Sequence, residues 1–185
     1  MADLGFTLKK TVVLVGMMGA GKSAVGRSLA EFLQVPFLDS DEELVRAANM
    51  PISEIFERDG EPFFRAREAE IIARLLEEKK GILSTGGGAY LNPANRAVIS
   101  RAGVAVWLDA DIDLLWSRVR HKDTRPLLRT SNPRATLEEI FKARVPEYSK
   151  ADLTVTGDPA FSIGDMTQEV VKSLLTRPDV LEANK

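Results

Sequence analysis

The chain has 185 residues, 44% of them hydrophobic, with a formal net charge of -2 and no cysteine. This suits one α/β domain able to bury a sizeable core, and it excludes disulfides and thiolate metal sites. Asp and Glu (27) outnumber Lys and Arg (25), so the broad basic surface of a nucleic-acid binder is not expected.

In chain order, the opening "MADLGFTLKK" lacks the apolar core of a signal peptide and does not read as a transit peptide. No apolar run reaches the length of a membrane span. A cytoplasmic protein without membrane or nucleic-acid partners is therefore expected. "TVVLVG" is predicted as a buried strand ending in a turn, and Lys22 to about Gln34 as a helix. "VPFLDSD" reads as a short strand ending in acidic residues. From about Glu42 to Lys79 the pattern is mostly helical, broken near "NMP" and "RDGEP". "GILSTGGG" is a strand running into glycines, "NPANRAVISRAG" a helix, "VAVWLDAD" a strand and "IDLLWSRVR" a helix. "HKDTRPLLRTSNPRAT" has no apolar periodicity and is expected as an exposed loop. "LEEIFKARVPEYSKA" is helical, with Pro146 bending or ending it. "DLTVT" is the last predicted strand, followed by a helix to about Leu175 and a polar end, about residues 177–185, expected to fray. Strands alternating with helices imply a parallel sheet covered on both faces. In such sheets ligands gather at the carboxyl ends of the strands, where "GMMGAGKS", "DSD" and "TGGG" all fall.

Gly16, Gly21, Lys22 and Ser23 fill the G-x-x-x-x-G-K-[ST] pattern between a strand and a helix, with Gly19 a further glycine inside it. Loop amides and the helix amino terminus attract phosphate there. Lys22 can bridge the outer phosphates, and the Ser23 hydroxyl can ligate Mg²⁺. The loop alone does not choose among ATPases, GTPases and kinases; the lack of an N-K-x-D signature disfavours a GTPase. Asp39 and Asp41 flank Ser40. One can reach Mg²⁺ through water while the other orients a substrate hydroxyl; equally, "DSDEE" can serve as a helix cap. Arg65 opens a helix and Arg125 lies in the loop, where a basic residue can close over a transferring phosphoryl group. Arg67 and Arg74 read as solvated, and His121 receives no role. Three consecutive glycines, Gly86, Gly87 and Gly88, suggest a second place where backbone and ligand approach closely.

Together, "GMMGAGKSAVGR", "DSD", "IFERDGEPFFR", "STGGGA", "RPLL" and "ARVPEYSKAD" resemble the shikimate kinase family, in its order and over about residues 10–160. The resemblance implies a P-loop NTPase of the nucleoside-monophosphate-kinase type. Its five-stranded parallel sheet would have the order 2-3-1-4-5. It would carry a helical substrate-binding region near 42–80 and a mobile lid near 119–135, in a single domain expected to be monomeric. It implies transfer of the ATP γ-phosphate to the 3-hydroxyl of shikimate. Gly19, Ala20, Gly21, Lys22, Ser23, Ala24, Arg118 and Arg125 would hold ATP. Ser23 and Asp39 would hold Mg²⁺, with Ser84 in its outer shell. Asp41, Arg65, Gly86, Gly87, Gly88 and Arg144 would hold shikimate, the two arginines clamping its carboxylate, with Phe56 and Phe64 shaping the pocket. Lys22, Asp41 and Arg125 would be the catalytic set. One departure is Gly157 in "TGDPA", where the family often has an arginine that contacts adenine. Two other readings are a related kinase such as gluconate kinase, which is not expected to carry both "DSD" and "TGGG", and a nucleotide-binding module without catalysis.

Overall fold

In the computed structural model, which describes residues 5–121 and 126–185, Phe6–Leu8 forms β1 and Thr11–Val15 forms β2. Every residue of β2 is buried, as a strand covered on both faces requires, and its sequence TVVLV is accordingly almost wholly apolar. Helix α1 (Lys22–Leu33) and strand β3 (Phe37–Asp39) follow. Then come α2 (Ser40–Ala48), α3 (Ile52–Asp59) and α4 (Glu61–Glu78). Strand β4 (Ile82–Ser84) leads through the glycines into a 3-10 turn, Ala89–Leu91. Next are α5 (Pro93–Ala102), β5 (Gly103–Asp109) and α6 (Ile112–Val119). A second 3-10 turn, Pro126–Leu128, precedes α7 (Pro133–Tyr148), β6 (Leu153–Thr156), α8 (Ile163–Leu174) and β7 (Leu181–Ala183).

The main sheet has the order β3-β4-β2-β5-β6, which is the expected 2-3-1-4-5 when its own strands are counted. All its pairings are parallel, with Val13 opposite Leu83 and Ala105 in the centre. Parallel neighbours need crossovers, and the helices supply them. The carboxyl ends of β2, β3 and β4 lead into the phosphate loop, the acidic pair and the triple glycine respectively.

The breaks in the helical region have local causes. Asn49 ends α2 at φ 54, and Pro51 precedes α3. Gly60, at φ 84, separates α3 from α4, whose first turn carries Pro62. Helix α7 starts earlier than its apolar pattern suggested. Asn132 caps it by accepting from the Ala135 amide at 3.2 Å, and Pro133 occupies its first turn. Pro146 neither stops nor divides α7 but lies two residues before its end, where one backbone bond is lost at small cost.

The end of the chain does not fray as expected. β7 pairs antiparallel with β1, Leu8 opposite Leu181 and Thr7 opposite Glu182. Lys9–Glu182 (2.7 Å) and Lys10–Asp179 (3.4 Å) flank the pair. The reason is Val180 and Leu181, which are 0% and 1% exposed: two large apolar residues hold an otherwise polar tail against the domain. Truncating Leu181 should leave a cavity. Leu181→Ala is expected to lower stability in urea unfolding by about 2–4 kcal/mol, and a loss well below 1 kcal/mol would mean that the tail is only loosely attached.

Candidate active site

The phosphate loop takes backbone shapes that demand glycine. Gly16 and Gly19 have φ of 143 and 82. A Cβ at Gly19 would also stand 2.8 Å from Val119 Cγ1. Gly21 starts α1 with no side-chain cap and no acidic residue in the first turn, so the positive end of the helix dipole faces the loop. Lys22 Nζ donates to the carbonyls of Gly16 (2.6 Å) and Met17 (3.0 Å), which parks the ammonium over the loop. Arg118 Nη1, from α6, donates to the Gly19 carbonyl at 2.9 Å and straps the loop from outside. The adjoining cavity, about 540 Å³, is lined by residues 18–25, the acidic pair and Arg118, including Ala20, Ala24 and Ser84. At its far side stand Gly157 and the partly exposed apolar side chains of Phe161 and Ile163. Gly157 is not in the left-handed region, and a Cβ there would meet only the Asp109 carbonyl at 3.4 Å and the end of Met166.

Asp39 is the helix cap that the sequence offered, and it also reaches the phosphate loop. Its Oδ1 caps α2, accepting from the amides of Asp41 (2.9 Å) and Glu42 (3.1 Å). Its Oδ2 accepts from the Ser23 hydroxyl at 3.0 Å. Asp41 lies on the first turn of the capped helix. Its carboxylate sits against Gly86, where a Cβ would be 2.9 and 3.1 Å from the two oxygens. Asp41 lines the phosphate-loop cavity and also a second cavity of about 540 Å³.

The second cavity contains Phe56, Phe64, Arg65, Glu68, Arg144 and the three glycines. The glycines are there for space, since none of the three has a left-handed φ. A Cβ on Gly87 would come 2.9 Å from Arg144 Nη1, and one on Gly88 would run into the Arg65 guanidinium. Arg65 and Arg144, 79 positions apart in the sequence, thus converge on one turn of backbone. Phe56 and Phe64 pack at 4.6 Å between ring centroids, and the Arg65 guanidinium lies 5.0 Å from the Phe64 centroid. Arg67 and Arg74 point away and pair with Glu70 and Glu43 on the surface. Arg125 lies outside the described residues.

Sequence reasoning missed Glu68. It lies one helical turn after Arg65, and that spacing was the available signal. Its Oε1 accepts from Arg65 Nη1 at 3.0 Å. The carboxyl is 1% exposed, and Oε2 has no hydrogen-bond partner among the described groups. Burial pushes its pKa up from 4.5 to about 7; Arg65 and Arg144 oppose the rise, and Asp41 adds to it. A raised carboxyl pKa favours the folded state only while the group is protonated. The contribution of Glu68 is therefore fully present below about pH 4.5 and is lost as the pH rises through about 7. Glu68→Gln cannot titrate. Stability of the ligand-free proteins, followed by urea unfolding from pH 4.5 to 8, should fall less in this variant, by on the order of 2–3 kcal/mol. Parallel profiles would contradict the assigned burial.

Comparison with known proteins agrees with this geometry. The profile of the shikimate kinase family matches residues 18–175. The shikimate kinase of Ruegeria pomeroyi is 65% identical over 175 residues, covering 95% of this chain and 90% of that one. Among solved structures, shikimate kinase from Acinetobacter baumannii in complex with shikimate matches with a TM-score of 0.86 at 38% identity, over 90% of this chain and 93% of that one. A gluconokinase from Sinorhizobium meliloti matches with a TM-score of 0.56 at 18% identity, over 91% and 93%, and shares the fold alone. With a family profile spanning most of its length and relatives this similar, the chain belongs to the shikimate kinase family.

Proposed function

We propose that the two cavities are the nucleotide and acid sites of one phosphoryl transfer, from ATP to the 3-hydroxyl of shikimate, and that Asp41 works where they meet. The observation that carries this reading is the position of Asp41 in the lining of both cavities. Family membership makes the chain an ATP-dependent kinase; the residue roles below are inferred from its own geometry.

ATP phosphates lie along the amides of the phosphate loop and the start of α1. Lys22 exchanges its contacts with the Gly16 and Met17 carbonyls for phosphate oxygens. Ala20 and Ala24 line the same wall, and Arg118 holds the loop while presenting its guanidinium to the base. With Gly157 offering no side chain, Phe161 and Ile163 supply apolar surface on that side of the cavity. Arg125, with the lid segment near 119–135, brings positive charge to the transferring group, as the resemblance implies.

Ser23 and Asp39 fit Mg²⁺. They place a hydroxyl and a carboxylate oxygen 3.0 Å apart beside the phosphate loop. No cluster of three or more His, Cys, Asp or Glu side chains able to cage a metal occurs among the described residues. A few oxygen donors completed by waters and substrate phosphates suit Mg²⁺. When bound, the ion would neutralise charge on the phosphates, held by Ser23 and, through water, by Asp39.

Shikimate's carboxylate takes the Arg65 and Arg144 guanidiniums, whose planar forks match it. Glycine at 86, 87 and 88 lets the backbone approach the ring, and Phe56 and Phe64 wall it. The Asp41 carboxylate accepts a hydrogen bond from the attacking hydroxyl and orients it. The hydroxyl oxygen then bonds to the γ-phosphorus, its proton passes by way of the Asp41 carboxylate to solvent, the bond to the β-phosphate oxygen breaks, and ADP leaves. A cytoplasmic monomer is part of this reading.

The direct test supplies ATP and Mg²⁺ with shikimate or gluconate and measures ADP. Release should depend on shikimate; stimulation by gluconate alone would reject the reading. Two isosteric variants then separate the carboxylates. Asn caps helices as well as Asp does, so Asp39→Asn should unfold within about 0.5 kcal/mol of wild type while needing more Mg²⁺ for half-maximal rate. Asp41→Asn should lower kcat by about a hundredfold or more with ADP affinity unchanged. An unchanged Mg²⁺ requirement in the first variant would reduce Asp39 to a cap.

A further inference from the structure

The mechanism above leaves Tyr148 unused. It is the last residue of α7, one helical turn after Arg144 and on the same face. Its side chain is fully buried. Its hydroxyl donates to the Gly87 carbonyl at 2.5 Å, joining α7 to the triple glycine across 61 positions of sequence. Burial pushes the phenol pKa up, against the charge of Arg144, so the group stays a neutral donor near neutral pH. The hydroxyl and the Arg144 guanidinium border the same spot, since a Cβ on Gly87 would lie 3.6 Å from the one and 2.9 Å from the other.

The neighbouring carbonyls show why this contact matters. The Gly86 carbonyl accepts from the Ala89 amide (3.1 Å), and the Gly88 carbonyl accepts from the Leu91 amide (3.2 Å). Both bonds arise within the 3-10 turn. The Gly87 carbonyl is held instead by a side chain from a distant helix. Among the described residues no peptide bond is cis, and a trans peptide points its carbonyl and its following amide in opposite directions. Fixing the Gly87 carbonyl therefore fixes the direction of the Gly88 N–H. Glycine backbone rotates almost freely, so without such an anchor this peptide plane would sample several orientations. Ligands bind more weakly to groups that must first be ordered.

We infer that Tyr148 is a positioning residue for the acid substrate. Its hydroxyl locks the Gly87–Gly88 peptide in place beside the Arg144 guanidinium, so that the two form one preassembled anion-binding unit. This rests on the proposed assignment of the second cavity to shikimate.

Tyr148→Phe removes only the hydroxyl; the ring keeps its place 6.1 Å from Trp107. Calorimetric titration of shikimate, its uncharged carboxamide and ADP into wild type and variant is the test, with steady-state kinetics alongside. The shikimate Kd and KM should rise about fivefold to thirtyfold, the range of a hydrogen bond in a charged network. The preference for the acid over the carboxamide should narrow by a similar factor. ADP affinity and kcat should stay within about twofold. A purely structural role would weaken both ligands and leave the acid-to-amide ratio unchanged, and that outcome overturns the inference. Should wild type itself fail to bind shikimate, the function assignment falls; if wild type binds and the variant matches it, only the role of Tyr148 falls. If the variant does not fold, the wild-type protein still decides. It has two tyrosines, and the other, Tyr90, donates to the Lys150 carbonyl. With ¹³Cζ-labelled tyrosine, assigned through Tyr90→Phe, shikimate should shift the Tyr148 signal and ADP should not. A Tyr148 signal unmoved by saturating shikimate overturns the proposal.

Discussion

A side-chain carbon at positions 86, 87 or 88 would displace the charged ends of Asp41, Arg144 and Arg65 from their places. This steric constraint organises the candidate site. Each glycine makes room for one charged group, and the three groups come from α2, α7 and α4. The loop is thus the meeting point of helices far apart in sequence. It follows β4, which lies between β3 and β2 in the sheet. The same strand order that sets β4 there puts the acidic pair on one side of the glycines and the phosphate loop on the other. Parallel topology, rather than any single side chain, brings the second cavity up against the phosphate-loop cavity.

The site is also tied into the stability of the fold. Asp39 spends one oxygen on capping α2 and the other on Ser23, so the start of that helix and the phosphate loop share a carboxylate. Arg118 holds the Gly19 carbonyl and so connects α6 to the loop. Such shared groups preorganise a site because a shift in one element disturbs a hydrogen bond in another. They also mean that alanine substitutions at Asp39 or Arg118 mix structural and functional effects, which isosteric variants avoid.

Much of this was legible in the sequence. The apolar run TVVLV, the glycine–lysine–serine pattern and the alternation of strands and helices lead to the sheet and its phosphate loop without further help. The "NMP" and "RDGEP" breaks fall where Asn49 and Gly60 adopt positive φ. What was hidden has physical reasons. Glu68 looks like one more acidic residue on a charged helix; only the buried face of α4 distinguishes it from Glu70. Tyr148 reads as ordinary core, since its hydroxyl partner is a backbone carbonyl 61 positions away. The closing strand was missed because two apolar residues amid polar ones make too short an alternation to register, and its partner β1 lies at the other end of the chain. The triple glycine was read as a place of close approach between backbone and ligand; hidden from the sequence were the three charged side chains that a Cβ at each position would meet.

Arg65, Arg144, Asp41 and Glu68 share the lining of the second cavity. Arg65 and Arg144 face the same turn of backbone, and two guanidiniums held together with little solvent repel each other. Asp41 and Glu68 offset that repulsion, but they do so unequally. Asp41 also borders the nucleotide cavity, whereas Glu68 is enclosed, with one oxygen on Arg65 and the other without a partner among the described groups. Leaving a buried carboxylate oxygen unpaired costs stability that a hydrophobic residue at position 68 would not. Without Glu68, however, Arg65 would keep the long, more exposed contact with Glu61 at 3.4 Å and its place over the Phe64 ring, and its guanidinium would be less firmly fixed against Gly88. Under the proposed function, the arrangement trades some stability of the empty protein for an arginine already aimed at the substrate carboxylate, and preorganisation of that kind raises affinity.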